Sequence, residues 1–398
     1  MSSLTLASWT RALRPSAIQD ALKMTSRPGL LSLGLGLPAA ELFPREAMAE
    51  VSARVLASES RALQYAPALP ALRAQVVRLM ERRGVRCSES QVFLTTGAQQ
   101  GMSLLARLLL EPGRSVVVED RAYSGFLQVL EPFQVRKLPV RTDPQAGLDV
   151  EALAALLESG ERPALLYALS DGHNPLSVSM NLATRRRLVE LARHHRVPII
   201  EDDAYGLLRY EPEPLPALRA LEPDWVFYVG SFSKVLAPGL RQGWVVVPES
   251  LIAPLSALKE ASDIDTTTLS QRLVLGFLEG GYLEGHLERL LVEYRTRRDA
   301  LLAALEAHFP AQARWTRPSG GMFVWVELPP EVDTLALLVR AVEEEQVAFI
   351  PGAAFEVQGG RPASHCLRLN FSHCPPEQLH EAVARLARVL RRSERGAA

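Results

Sequence analysis

Lysine is almost absent from this chain: only Lys23, Lys137, Lys234 and Lys259 are lysines among its 44 basic residues, and the others are arginine. Cysteine is scarce too. Cys87, Cys366 and Cys374 are too few and too scattered for a disulfide framework. Net charge is close to absent, at −1, which removes the electrostatic case for nucleic acid or an anionic membrane as a main partner. No apolar run approaches the roughly 18 residues that read as a membrane span. The first residues, Met1 to Ala7, have neither a basic start nor a sustained apolar stretch, so no secretory signal is expected and the chain reads as cytoplasmic. His365-Cys366 and His373-Cys374 invite a metal reading. Neighbours on a strand point to opposite faces, however, so neither pair chelates easily and no metal is expected.

What is present suits a soluble α/β enzyme. With 398 residues, 47% of them apolar, the chain can bury one large core and a smaller lobe. From Gln91 onward, short β-branched runs alternate with helical patterns. Segments 91–96, 115–119, 164–169, 197–201, 225–229 and 244–247 read as buried strands, and 150–157 and 182–194 as helices. That alternation predicts a mostly parallel sheet with helices on both faces and chemistry beyond the carboxyl ends of the strands. A long helix over 282–308 then leads to short strands and two helices, which predict a small α+β lobe that also takes in the first forty-odd residues. The runs Arg185 to Arg187 and Glu343 to Glu345 read as solvated helix faces.

The scarcity of lysine directs attention to Lys234. Arginine serves wherever a plain positive charge is wanted, so a retained lysine is enriched for work that needs an amine able to lose its proton. Ser231, Ser233, Lys234 and Arg241 lie within eleven residues, between two strands, with glycines and a proline among them. Hydroxyls and a guanidinium can hold a dianion beside an amine that attacks an aldehyde. By itself the segment could equally be a surface loop. Further on, Gly97, Ala98 and Gln99 sit where a strand ends and a helix opens, and free backbone N–H groups there favour an anion. Tyr123 follows another strand. Glu201, Asp202 and Asp203 end a third, where three acids could suggest magnesium.

The lysine segment resembles the S-x-S-K…P-G-L-R-x-G motif of fold-type I (class I/II) aminotransferases, most closely the kynurenine/α-aminoadipate and related multisubstrate branch. The resemblance runs from Gly36-Leu37-Pro38 to the strand ending at Phe371. It implies a large domain with a mostly parallel seven-stranded sheet, here expected over 46–290. A small domain would come from both termini, 1–45 and 291–398. It implies pyridoxal 5′-phosphate held as an aldimine on Lys234, with Gly97, Ala98, Gln99, Ser231, Ser233 and Arg241 about its phosphate. Tyr123 would stack on the ring, Asp202 would pair with the ring nitrogen, and Tyr205 and Asn174 would bond the ring oxygen. Arg368 would grip the substrate carboxylate, with Asn174, Gly36 and Gln19 also beside the substrate. Tyr65 would reach the phosphate of a neighbouring subunit in a homodimer with shared sites.

Four positions depart from the family pattern. N-P-T-G is here Asn174-Pro175-Leu176-Ser177, and Ser170 replaces a proline. The loop after Tyr65 is short, and Gln19 stands where relatives commonly carry arginine. The expected activity is ping-pong transfer of the amino group of an apolar or aromatic L-amino acid to a 2-oxo acid such as 2-oxoglutarate. A β-lyase, decarboxylase, racemase or oxygen-using oxidase on the same scaffold is the alternative, because the cofactor carries the hard chemistry and the protein selects the bond that breaks. A ligand-sensing regulator is disfavoured, because about 35 residues before Gly36 leave no room for a DNA-binding domain.

Overall fold

The β-branched runs build a seven-stranded sheet. In chain order its strands are β1 (Val92–Thr95), β2 (Ser115–Glu119), β3 (Arg136–Val140), β4 (Leu165–Ala168), β5 (Ile199–Asp203), β6 (Val226–Ser231) and β7 (Gly243–Val246). They lie in the order β1-β7-β6-β5-β4-β2-β3. Adjacent strands are parallel except where β7 runs against β1 and β6. The structure, a computed structural model, describes residues 4–12, 29–34, 36–211 and 214–396.

Both faces of the sheet are apolar because helices cover both. On one face Val116, Val118, Leu165, Ile200, Val229 and Val245 pack with Met102 and Leu105 of the helix Gly97–Leu109. The alternate positions Val117, Leu166, Ile199 and Val226 pack with Leu153 of the helix Val150–Glu158 and Leu188 of the helix Leu182–His195. Side chains at Asp149 and Asn181 cap those two helices by accepting from the N–H groups of Ala152 and Thr184. Strand β3 has only Leu138 and Val140 as buried apolar residues. It carries Arg136, Lys137 and Pro139, which an edge strand tolerates because one of its sides forms no ladder.

The small lobe is a four-stranded antiparallel sheet of Arg314–Trp315, Phe323–Glu327, Cys366–Asn370 and Ile350–Pro351, with the helices Thr334–Glu345 and Pro376–Gly396. Near the N-terminus, Leu31–Ser32 pairs in parallel with Val347–Ala348, and the Asn370 N–H donates to Leu33 O at 2.7 Å. Both ends of the chain therefore contribute to this lobe. A division at 290/291 falls inside the unbroken helix Tyr282–His308. Among the described residues, no helix is long and apolar enough to cross a membrane.

One surface expectation needs correcting. Arg185 is fully buried, not on a solvated face. Its guanidinium donates to Asp171 Oδ1 at 2.7 Å and to the carbonyls of Ser170, Met180 and Pro216. The helical period turns the first arginine of the run toward the sheet, where an acid and carbonyls compensate its burial.

Candidate active site

One cavity of about 310 Å³ gathers residues from the carboxyl ends of five strands. Ala98 and Gln99 follow β1, Tyr123 follows β2, Leu169 and Asn174 follow β4, and Asp202 and Tyr205 come from the end of β5. Ser231 ends β6, and Ser233 and Lys234 come next. Arg241 precedes β7, whose reversed direction brings it back to the same sheet edge. The small lobe adds Phe323 and Arg368, and the N-terminal segment adds Gly36. A larger surface hollow of about 910 Å³ beside Glu41 and His286 holds none of these groups.

Lys234 is partly buried, and its Nζ donates to Gly36 O at 2.7 Å. Burial, with Arg368 and Arg241 adding like charge, lowers its pKa to about 8. Asp202 is buried, and the Tyr167 hydroxyl donates to its Oδ2 at 2.7 Å. Its Oδ1 has no hydrogen-bond partner among the described residues. Burial pushes this carboxyl up to about 6.

Strand alternation resolves the acidic run. Glu201 and Asp203 lie on the face opposite Asp202 and are committed elsewhere. Glu201 accepts from Ser170 Oγ at 2.6 Å and from the N–H groups of Leu218 and Arg219. Asp203 accepts from Arg83 Nε at 2.7 Å and the Tyr228 hydroxyl at 2.8 Å, while Arg83 also pairs with Asp171. The three acids do not converge on one point, as a magnesium site would require.

An anion cradle lies opposite. Gly97 opens the helix Gly97–Leu109 at φ 76, and its N-cap Thr96 makes no side-chain cap, so the first-turn N–H groups are not blocked by one. A Cβ on Gly97 would sit 2.3 Å from Arg241 Nη2, so glycine is what lets the guanidinium close over this turn. Arg241 Nη1 approaches Ser233 Oγ at 3.4 Å, and the Ser233 N–H donates to Ser231 Oγ. Gln99 donates to Gly125 O at 2.7 Å, tying the cradle to the turn that carries Tyr123. A Cβ on Gly125 would strike the Tyr123 ring at 2.4 Å.

Arg368 is buried, and among the described residues no acid forms an ion pair with it. Its Nη1 donates to Asn174 Oδ1 at 2.8 Å and its Nη2 to Gly34 O at 2.9 Å, while Nε has no partner among the described residues. The guanidinium lies over the rings of Phe323 (4.0 Å) and Phe355 (4.9 Å), contacts that sequence reasoning does not supply. Burial lowers its pKa to about 10. Tyr205 is buried edge-on to Phe323, and burial pushes its hydroxyl pKa up. Ser177, the departure in the Asn174 motif, takes a left-handed backbone (φ 53), and its hydroxyl accepts from the Phe323 N–H at 3.1 Å. It thus ties the large-domain loop to the small-lobe strand.

Tyr65 stands apart from the cavity, 79% exposed in the single chain. Gln19 lies outside the described residues.

The family model for class I and II aminotransferases matches residues 29–386. The chain belongs to that family. It is 36% identical over 388 residues to aromatic-amino-acid aminotransferase 1 of Thermococcus litoralis, spanning 95% of this chain and 92% of that protein. It is 39% identical over 398 residues to the 2-aminoadipate transaminase of Thermus thermophilus, spanning 96% and 98%. The crystal structure of LysN, the α-aminoadipate aminotransferase of Thermus thermophilus complexed with N-(5′-phosphopyridoxyl)-L-leucine, matches with a TM-score of 0.88 and 37% identity. That match covers 97% of this chain and 98% of the other.

The protein is therefore a pyridoxal-phosphate-dependent aminotransferase, and the residues of the cavity fit that cofactor. Asp202 Oδ1, without a hydrogen-bond partner among the described residues, is a buried acceptor suited to a protonated ring nitrogen, and the Arg241 cradle suits a phosphate. Lys234 is an amine with lowered proton affinity, suited to an aldehyde.

Proposed function

We propose that the enzyme moves the α-amino group of an apolar or aromatic L-amino acid to a 2-oxo acid such as 2-oxoglutarate, in two half-reactions of a ping-pong cycle. The observation that carries this reading is the convergence of Lys234, Asp202, Arg241 and Arg368 on one cavity. Pyridoxal phosphate supplies an aldehyde for the amino group and a conjugated ring for the electron pair left at Cα. Lys234 Nζ holds the cofactor between turnovers and moves the substrate Cα proton, a task its lowered pKa suits. Asp202 Oδ1 keeps a proton on the ring nitrogen, and Tyr205 and Asn174 hydrogen-bond the ring oxygen. Tyr123 packs on the ring face. Arg368 orients the substrate by its α-carboxylate through a planar fork of donors, beside Asn174 and Gly36.

Arg241, Ser231, Ser233 and the Gly97-Ala98-Gln99 turn hold the phosphate. In this division of labour, Arg241→Ala weakens retention of the cofactor on dialysis by roughly tenfold or more, the scale of a lost charge-assisted hydrogen bond. Arg368→Ala leaves cofactor affinity intact and raises KM for the amino acid. Equal effects of the two changes on cofactor affinity would contradict it.

The side-chain preference follows from what lines the cavity. Among the described lining residues, the cations are Lys234, Arg241 and Arg368, each with a task in this reading, and none remains for a distal carboxylate. Leu37, Met102, Leu169 and Phe323 supply apolar wall, and Gln19 carries no charge. With 2-oxoglutarate as acceptor, kcat/KM is expected to be higher for leucine or phenylalanine than for 2-aminoadipate. Gln19→Arg shifts the ratio toward the diacid. Product identification by mass spectrometry across an amino-acid panel also separates transfer from lyase, decarboxylase, racemase or oxidase chemistry. A wild-type preference for 2-aminoadipate would overturn the proposed specificity.

The same reading includes a homodimer in which Tyr65 reaches the neighbouring subunit's phosphate. The exposure of Tyr65 and Leu63, 79% and 78%, supports a covering partner at this edge.

A further inference from the structure

We propose that Tyr167 is the positioning residue for Asp202: its hydroxyl engages one carboxylate oxygen, holds the group ionised, and leaves the other oxygen as acceptor for a protonated ring nitrogen. Only the identity of that nitrogen rests on the proposed function. The hydrogen bond and its effect on Asp202 belong to the protein alone.

The geometry makes Tyr167 a committed donor. Tyr167 is 1% exposed, and its ring stacks on Phe126 with centroids 3.8 Å apart and planes within 8°. That packing sets where the hydroxyl points. Strand β4 lies beside β5 with Tyr167 opposite Ile200, which places Asp202, two residues on, as its diagonal neighbour on the same face. The hydroxyl meets Oδ2 at 2.7 Å, and Oδ1 has no partner among the described residues. Burial and the adjacent acid keep the Tyr167 phenol far above its ordinary pKa, so it stays protonated and donates.

A donor to a carboxylate stabilises the charged form more than the neutral acid. This opposes the other influences on Asp202. Burial raises its pKa most, and Asp203 and Glu201 on its own strand raise it further. Lys234, after β6, acts in the same direction as Tyr167. Tyr123 and Tyr205 also face this carboxylate electrostatically, and both are pushed up chiefly by burial and further by it. Tyr167 is thus the neutral group that favours the ion without adding a charge to the cavity. Fixing Oδ2 also restricts rotation of the carboxylate, so Oδ1 keeps one direction. The sequence offers a faint signal: Tyr167 is a polar-tipped aromatic in the otherwise aliphatic strand β4.

The test is an infrared titration of Asp202 in the cofactor-free protein, with Asp202→Asn identifying its carboxyl band. The wild-type midpoint is expected near pH 6. In Tyr167→Phe, which keeps the stack on Phe126, the midpoint rises by about one pH unit. Replacing Tyr167 by 3-fluorotyrosine, a nearly isosteric and stronger donor, shifts it the other way. In the holoenzyme, the acid limb of the pH–rate profile of Tyr167→Phe moves up. An unchanged midpoint in Tyr167→Phe, or a shift in the same direction for both replacements, overturns the assignment. If Tyr167→Phe does not fold, the fluorotyrosine protein decides alone, and an unmoved midpoint there overturns it. A shifted midpoint in a protein that transfers no amino groups at any pH would leave Tyr167 assigned and sink the proposed function instead.

Discussion

Lys234→Ala yields a folded protein that still takes up pyridoxal phosphate but loses amino-group transfer by roughly two to four orders of magnitude, the scale at which a positioned acid–base group acts. Uptake survives because the Gly97 turn, Ser231, Ser233 and Arg241 do not depend on the amine. Turnover does not, because Lys234 is the amine that lines the cavity. Lys137 and Lys259 are spent on Glu131 and Asp263, at 2.8 and 2.6 Å, away from it. Lys23 lies outside the described residues. Borohydride should therefore fix the cofactor on a peptide containing Lys234, and labelling of any other lysine would refute the assignment. A pH dependence accompanies this. Only the neutral amine attacks an aldehyde, and burial beside Arg368 and Arg241 lowers the Lys234 pKa to about 8. Covalent capture of the cofactor by the cofactor-free protein should accelerate as pH rises through about 8 and then level off. A rate still climbing toward pH 10 would mean that the site does not depress this pKa.

Asp202→Asn is expected to lower kcat by about two to three orders of magnitude, the range typical of a lost preorganised electrostatic partner, with little change in melting temperature. The amide keeps the shape and can still accept from Tyr167, but it carries no charge to hold a proton on the ring nitrogen. Asp203→Asn is the informative control. Asp203 faces the other way, toward Arg83 and Tyr228. Breaking a buried pair of this kind costs about 3 kcal/mol or more. Its loss should therefore appear chiefly in thermal or denaturant unfolding, with kcat per folded molecule nearly retained. If Asp203→Asn instead removed the chemistry and Asp202→Asn spared it, the facing of this strand would be misassigned.

These two variants also mark what could be read from the chain alone. Local patterns survive into the structure wherever the determining forces are local. The alternation of β-branched runs and helical periods predicts the α/β class and six of the sheet's strands, since strand and helix periods are properties of a few consecutive residues. The helix read over 282–308 spans Tyr282–His308. Strand β3 escapes because it forms by pairing with β2 at an edge, and its own residues do not announce it. Arg185 escapes for a related reason. A run of three arginines looks solvated until Asp171 and the carbonyls of Ser170, Met180 and Pro216 surround its first member.

Short segments suffice for most of the chemical inventory: a rare lysine flanked by hydroxyls and an arginine, an anion-favouring turn at Gly97 and an acid at a strand end, while Arg368 is singled out by the family resemblance alone. Motif spacing carries that much because each motif is one short segment. How the inventory is tuned and aimed depends on the folded arrangement. The Lys234 amine meets a carbonyl 198 residues earlier in the chain, and Arg368 meets one 334 residues earlier. The Asp202 carboxylate takes its hydrogen bond from Tyr167, on the neighbouring strand. Proton affinity and direction depend on desolvation and on the nearest dipoles and charges. Those neighbours are set by which strands and lobes come to lie side by side, so no single segment of the sequence contains them.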